Sequence, residues 1–332
     1  MGKKLIYIIA QHEKWIVLAS FVAAVLFPLI FNTPYFITVA INCLMYIILT
    51  LSLNLLTGYL GISSLGHAAF LGIGAYTAAI LSTRLGIGFL GTVFFAIVLS
   101  GIFGFLLGAP TLRINGRYLV IVTMGFVEIA RIVELNWTSL TRGALGILNI
   151  PSPTILGVEF KTQTQLYYIG LILVIITIAV VTNLIDSKMG RAITSIRGDE
   201  IASGAMGINT SSIKLMTFTI SSMLAGMAGA YYAHYMSYID SKRFSSDQSV
   251  QILSMVILGG LGSVPGSIIG AIVLVVVPEL LRDLGSLRQV FYGVVIVIMV
   301  LARPKGLLGG INFKHIRQRN AVEKAEEVGA NE

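Results

Sequence analysis

Three groups of residues in this 332-residue chain have types and spacings that could do chemistry. His67 lies one helical turn beyond Ser63 and Ser64. A serine beside a histidine can form a nucleophile–base pair, which an intramembrane hydrolase would need. A histidine in an apolar run could also relay protons. No carboxylate sits near His67 in sequence, so a structural histidine is expected, its ring nitrogens satisfied by neighbouring backbone. Glu128, Arg131 and Glu134 recur at every third residue and share one helix face. Charges at membrane depth are expensive and must pair or face a cavity. An ion pair of Arg131 with Glu134 is expected near the outer membrane interface. Glu128 lies deeper and reads equally as helix packing or as lining of a translocation path. The third group is the polar stretch from Asp186 to Lys214, DSKMGRAITSIRGDEIASGAMGINTSSIK, which concentrates Arg191, Arg197, Asp199 and Glu200.

Other chemistry is missing. No G-x-x-x-x-G-K-[ST] string occurs, and LGGLGSVPGS has the glycines without the lysine, so no P-loop cradles nucleotide phosphates. The single Cys43 lies in an apolar run and builds neither a disulfide framework nor a cysteine metal site. There is no row of intramembrane carboxylates of the kind proton-coupled carriers use. The expectation is a protein that is not an enzyme, with no catalytic residue, no metal and no cofactor of its own.

The elements that position these groups are membrane helices. The chain is 56% hydrophobic and 11% charged, with a mean hydropathy of +0.88, against roughly 25% charged in soluble domains. No regular ten-residue alternation appears, so the spans are helices and not barrel strands. The net charge of +8 comes with no basic–aromatic patch. It reads as a positive-inside signature and not as nucleic-acid binding. Apolar segments fall at about 15–31, 35–57, 65–83, 88–109, 117–135, 166–185, 213–236, 248–262, 266–281 and 289–302, against the ~20 residues that cross the hydrocarbon. The fold class is an all-α polytopic membrane protein of about ten transmembrane helices in a lipid bilayer. The eighth and ninth segments are short and glycine-interrupted, so a single broken re-entrant element competes with two spans there. The first apolar run has no small-x-small cleavage site at its end and is expected to remain as an uncleaved span. With both termini in the cytoplasm, most of the 23 basic residues fall on the cytoplasmic side. This divides the chain into a cytoplasmic N-terminus at 1–14, a transmembrane domain at 15–309 with its cytoplasmic segment 186–214, and a charged cytoplasmic tail at 310–332.

Within Asn54 to Ala79, Gly58, Gly61, Gly66, Gly72 and Gly74 permit close backbone approach and breaks in the helix. With His67 and Glu128 they are the candidates for a translocation path or for helix packing. The strings GYLG at 58–61 and GGLG at 259–262 are alike, but six spans separate them, which does not match a five-plus-five inverted repeat. In the polar segment, Met189, Ile193 and Ile196 share one face, and so do Ile201, Ala205 and Ile208, with Gly198 between. That pattern specifies two short amphipathic helices with a charged elbow. An anionic leaflet would repel Asp199 and Glu200, so the segment is expected to receive a soluble partner.

Four motifs in order, GISSLGHAAFLGIGAYTAA, YLVIVTMGFVEIARIVELNW, MGRAITSIRGDEIASGAMGIN and ILGGLGSVPGSIIGA with ARPKGLLG, carry a family resemblance. From about Tyr35 to Gly309 the chain resembles the LivM-type permease subunit of bacterial branched-chain amino acid ABC importers. The resemblance implies an ABC importer permease bundle in the bacterial plasma (inner) membrane. It implies as partners a homologous second permease, two cytoplasmic ATPase subunits that carry the ATP, and a soluble extracytoplasmic substrate-binding protein. It makes Arg191, Arg197, Asp199, Glu200, Ala202, Ser203 and Gly207 the residues that couple to the ATPase. Ala202-Ser203, three residues and then Gly207 fit the looser importer pattern, with the leading glutamate displaced to Glu200. Thr141-Arg142-Gly143 stands where the family commonly shows Thr-Gly-Gly. Urea and short-amide permeases share much of this pattern and are the alternative. A self-contained secondary carrier is the alternative class.

Overall fold

The computed structural model describes residues 13–31, 33–112, 116–155 and 157–281, with 293, 297, 306 and 307. Its helices of more than one turn are α1 (Glu13–Ile30), α2 (Pro34–Asn54), α3 (His67–Leu85), α4 (Phe89–Thr111), α5 (Gly116–Asn136), α6 (Gln163–Asp186), α7 (Lys188–Gly198), α8 (Glu200–Ala205), α9 (Thr210–Met236), α10 (Ser246–Gly259) and α11 (Val264–Leu280). Helices α2, α3, α4, α6 and α9 are long and apolar enough to cross a membrane, α2 by counting its continuation to Leu60. The protein is a polytopic helical membrane protein. The apolar segment at 289–302 and the tail at 310–332 lie outside the described residues, apart from Gly293 and Val297.

The helices run back and forth between two ends of a bundle. One end carries α7 and α8, and the other carries the loop 137–162. Helix α9 is the central post, and glycine is what lets its neighbours reach it. A Cβ on Gly74 would strike the backbone of Gly226, and one on Gly229 would strike the Leu71 carbonyl, so α3 and α9 touch backbone to backbone. Gly104 of α4 sits against Ser222, and Gly226 also meets Ser100. In lipid such close packing substitutes for a hydrophobic driving force. Away from α9, helix α4 shows Leu90, Phe94, Phe105 and Leu106 to the surroundings, as a lipid-facing helix must. Pro28 lies inside α1 and has no N–H for the Ala24 carbonyl one turn back. Tyr167 of α6 supplies the missing donor, its hydroxyl 2.7 Å from that carbonyl oxygen.

At the loop end, β1 (Ile147–Leu148) pairs antiparallel with β4 (Tyr238–Ile239), and β2 (Thr154–Ile155) pairs with β3 (Val158–Glu159). The first pair ties the long loop to the segment that follows α9. His234 adds to it, with Nε2 2.9 Å from the Thr92 hydroxyl and Nδ1 2.9 Å from the Pro151 carbonyl.

Two elements are broken in mid-bundle. Helix α2 ends in a π-helical turn, Leu55–Leu60, and Gly61 then turns left-handed at φ 79°. Residues 61–66 are non-helical and climb into the bundle before α3 begins. The level is fixed by α9: His67 Nε2 lies 3.0 Å from Ser221 Oγ, about 16 Å along an α9 roughly 40 Å long. The second break is 237–245. It descends from the loop end until Phe244 lies against Gly72, and only then does α10 start. Ala68 at the start of α3 donates its N–H to Ser249 of α10 at 3.1 Å, so the N-termini of α3 and α10 meet at about the same depth. Helices α10 and α11, about 21 and 26 Å long, run antiparallel with Gly270 against the Met255 carbonyl and Gly259. The eighth and ninth apolar segments thus form a glycine-packed hairpin whose tip, 260–263, points to the α7 end.

Candidate functional site

The tip of that hairpin meets the π turn of α2 at a single junction. Asn54 reaches across with both ends of its amide. Its Oδ1 accepts from the Gly262 N–H at 2.9 Å, and its Nδ2 donates to the Ser263 carbonyl at 3.2 Å. A Cβ on Gly58 would overlap both Asn54 Oδ1 and the Gly262 nitrogen, so only glycine permits this approach. Arg197 of α7 closes the junction from outside by donating through Nη1 to the Gly58 carbonyl. That carbonyl lies in a π turn, where the regular helical bonding is disrupted, and such turns are frequent at functional sites. The Arg197 stem also rests against Gly61. Three chain segments far apart in sequence therefore share one fastening, and it includes Gly58, Gly61 and Arg197.

The segment carrying Arg197 is two short helices meeting at Asp199, whose side chain caps α8 by accepting from the Ala202 N–H at 2.9 Å. Ser187 and Asn209 cap α7 and α9 in the same way. Ile193 and Ile196 are buried against the bundle. Ser203 is buried too, bonded to Ser195 at 2.7 Å and to the Asp199 carbonyl at 2.7 Å, so it locks α8 on α7. Gly207 holds φ 85°, a left-handed turn that lets the chain leave α8 for α9. The spacing of Ala202-Ser203 and Gly207 thus has a local reason: a small buried latch, then a glycine turn. Glu200 forms an ion pair with Lys214 at the foot of α9. Ala202 and Arg191 are exposed. On the apolar face assigned to α8, Ile201 is 86% exposed, and Met206, just beyond α8, is 84% exposed. Sequence reasoning placed Ile201 on the apolar face of a short amphipathic helix and passed over Met206. An unpartnered apolar pair flanked by charges was the signal available.

At mid-bundle the structure corrects two expectations. His67 is buried, but its Nε2 is bonded to the Ser221 hydroxyl and not to backbone, while Nδ1 has no partner among the described residues. Ser221 in turn donates to the Ser52 carbonyl at 2.6 Å, so the histidine stitches α3 to α9 and α2. Ser64 instead accepts from the Gly66 N–H, and no serine–histidine pair of the hydrolase kind forms there. The α5 ion pair is also not the expected one. Arg131 Nε donates to Glu128 Oε2 at 2.8 Å, and Glu128 Oε1 accepts from Ser246 at 2.6 Å. Glu134 turns the other way. It is 6% exposed, its Oε1 lies directly over Gly72, and its Oε2 has no partner among the described residues. These acids lie at the depth of Gly72 and Ser246, well inside the bundle, because α5 ends low and residues 137–141 continue upward to Arg84. Gly66 sits beside Ser64 and Thr123, and Gly72 and Gly74 face different neighbours, so the glycines of α3 form no single open strip. Among the described residues no cluster of metal-ligating side chains is present.

A family model described as branched-chain amino acid transport system / permease component matches residues 35–302. The chain belongs to this permease family. It is 38% identical over 319 residues to the high-affinity branched-chain amino acid transport system permease protein LivM of Salmonella typhimurium, covering 89% of this chain and 75% of that protein. It is 36% identical over 339 residues to the Escherichia coli protein of the same name, covering 95% and 79%. The Salmonella typhimurium permease protein LivH is 23% identical over 287 residues, covering 80% and 91%. No solved structure matches. The permease family is a transport family and not an enzyme family. The matched residues contain the whole junction and both mid-bundle breaks, so in this permease the fastening at the α7 end and the broken elements all lie inside the family's region.

Proposed function

We propose that this permease is the transmembrane subunit of an ATP-driven importer of branched-chain amino acids. The relatives' names support the substrate class, and likeness to both LivM and LivH supports pairing with a homologous second permease. On this reading two ATPase subunits bind ATP below α7 and α8, a soluble binding protein delivers substrate at the loop end, and both chain termini face the cytoplasm of a bacterial inner membrane. Exposed Ile201 and Met206 dock the ATPase, while Arg191, Ala202 and Asp199 frame the contact. Glu200 braces the segment through Lys214.

The observation that carries the mechanism is the Arg197–Gly58 bond at the hairpin tip. A push on α7 reaches the π turn of α2 and the α10–α11 tip together, and both lead directly to the mid-bundle breaks. Packed helices transmit such a shift because they are bistable and not continuously deformable. The test is reconstitution of the permease with its partners in proteoliposomes. ATP-dependent leucine uptake is expected, and Arg197→Ala should keep the complex and its ATP hydrolysis while losing uptake. Uptake by this chain without ATPase, or uptake of urea in preference to leucine, would overturn the reading. Orientation is tested separately: a cysteine at Ser195 should resist impermeant thiol reagents added outside intact cells, against a low background because Cys43 is buried.

A further inference from the structure

We propose that Arg131, held by Glu128 and Ser246 at the start of α10, is the mid-bundle binding site for the carboxylate group of the transported solute. The inference deepens the transport reading above and rests on it. It begins with a count of hydrogen-bond valences. Glu128 spends one oxygen on the Ser246 hydroxyl, at 2.6 Å, and the other on Arg131 Nε, at 2.8 Å. Arg131 is therefore fixed in orientation through Nε alone. Its two terminal nitrogens have no partner among the described residues. That free edge presents two parallel N–H groups, the geometry that takes a carboxylate in bidentate fashion.

Position makes the free edge informative. Arg131 and Glu128 are 33% and 38% exposed at a depth where lipid would penalise charge heavily. A polar path past α5 and α10 removes that penalty. The same face receives the N-terminus of α10, whose cap residue Ser245 makes no side-chain capping bond. The Ser246 amide serves Glu128 and the Gln248 amide the Ser245 carbonyl, while the positive end of the α10 dipole favours an anionic group there. Helices that begin at mid-membrane are used in this way by transporters in general. The nearby charges also select the solute. Glu128 and the exposed Asp247 outnumber Arg131, so a simple anion is disfavoured relative to an α-amino acid, which brings its own ammonium. Met124 and Ile132 on α5 and Val250 on α10 are exposed by the same helical spacing and give an aliphatic side chain apolar surface to lie on.

The experiment is saturation-transfer NMR on the purified transporter complex in nanodiscs of zwitterionic lipid, with leucine, isovalerate and isopentylamine as probes. Leucine is expected to bind, and Arg131→Gln to weaken it at least about tenfold, the scale of a lost charge-assisted bond. Arg131→Lys keeps the charge but not the fork and should recover part of the binding. Isopentylamine, which has no carboxylate, should respond to neither variant. Leucine binding by Arg131→Gln at the wild-type level overturns the site. So does loss of the second permease from an otherwise folded Arg131→Gln protein, which would make Arg131 a subunit contact. An Arg131 effect that appears only when anionic lipid is added would assign the fork to lipid phosphate and overturn it equally. Arg131-dependent binding of isovalerate by a wild-type complex that neither binds nor takes up leucine would leave the carboxylate site standing and remove the branched-chain reading.

Discussion

Replacing Gly58 by alanine should destabilise the permease, although helix propensity alone gives the opposite sign. In a regular helix interior alanine is favoured over glycine by about 0.8–1 kcal/mol. At this position the new methyl group would occupy the space of Asn54 Oδ1 and of the Gly262 amide nitrogen. Asn54 is the movable partner, but moving it breaks its bonds to Gly262 and Ser263. Two buried hydrogen bonds are each worth about 0.5–1.5 kcal/mol, and forcing the two backbones apart adds about 1–3 kcal/mol. Set against the propensity gain, the net loss is about 1–5 kcal/mol. The assay is denaturant or thermal unfolding of the purified complex, read beside ATP-driven uptake. Uptake should fall further than stability does, because the displaced groups are those that Arg197 fastens. Asn54→Ala removes the side-chain half of that overlap and leaves the Gly262 backbone in place, so Gly58→Ala should cost less in that background, a coupling a double-mutant cycle will measure. A Gly58→Ala protein as stable as wild type, or more stable, would refute the close approach on which the junction depends.

Gly72→Leu should cost about 1–3 kcal/mol or more by overpacking, since even a Cβ there would lie 2.5 Å from Glu134 Oε1 and 3.0 Å from Phe244 Cγ; co-purification of the complex should drop with uptake, and an assembled, active variant would contradict the packing. Glu200→Lys should uncouple hydrolysis from uptake with little loss of folded protein, because it sets a second cation beside Lys214. Adding Lys214→Glu should restore coupling, and full transport by Glu200→Lys alone would show that the brace is idle. Arg142 holds φ 62°, in the left-handed region that favours glycine. A left-handed non-glycine residue costs about 1–2 kcal/mol, and glycine's extra chain freedom offsets about half of that. Arg142→Gly should therefore raise thermal stability by up to about 1 kcal/mol, and a lowered midpoint would show that the arginine side chain makes up the difference.

The helices themselves were legible in the chain. A run such as LILVIITIAVVTNLI has nowhere to satisfy its backbone in lipid except within itself, so α6 follows from composition. Ser187, Asp199 and Asn209 cap the starts of α7, α8 and α9, and the elbow at Gly198 was readable from the two apolar faces it separates. What the chain alone left open were the partnerships. Spacing by three offers Arg131 both Glu128 and Glu134 on equal terms. Ser246 and Gly72 decide between them: one arrives to share Glu128, and the other makes room for Glu134. The depth of α3 and α10 was hidden as well, because a broken helix and a short one look alike until α9 supplies the ruler. GYLG and GGLG gave no hint that Gly58 and Gly262 touch. Periodicity and capping act over a few residues and leave their mark in local sequence. A glycine that makes space for a distant backbone has no side chain to specify its partner, so that choice belongs to the tertiary packing.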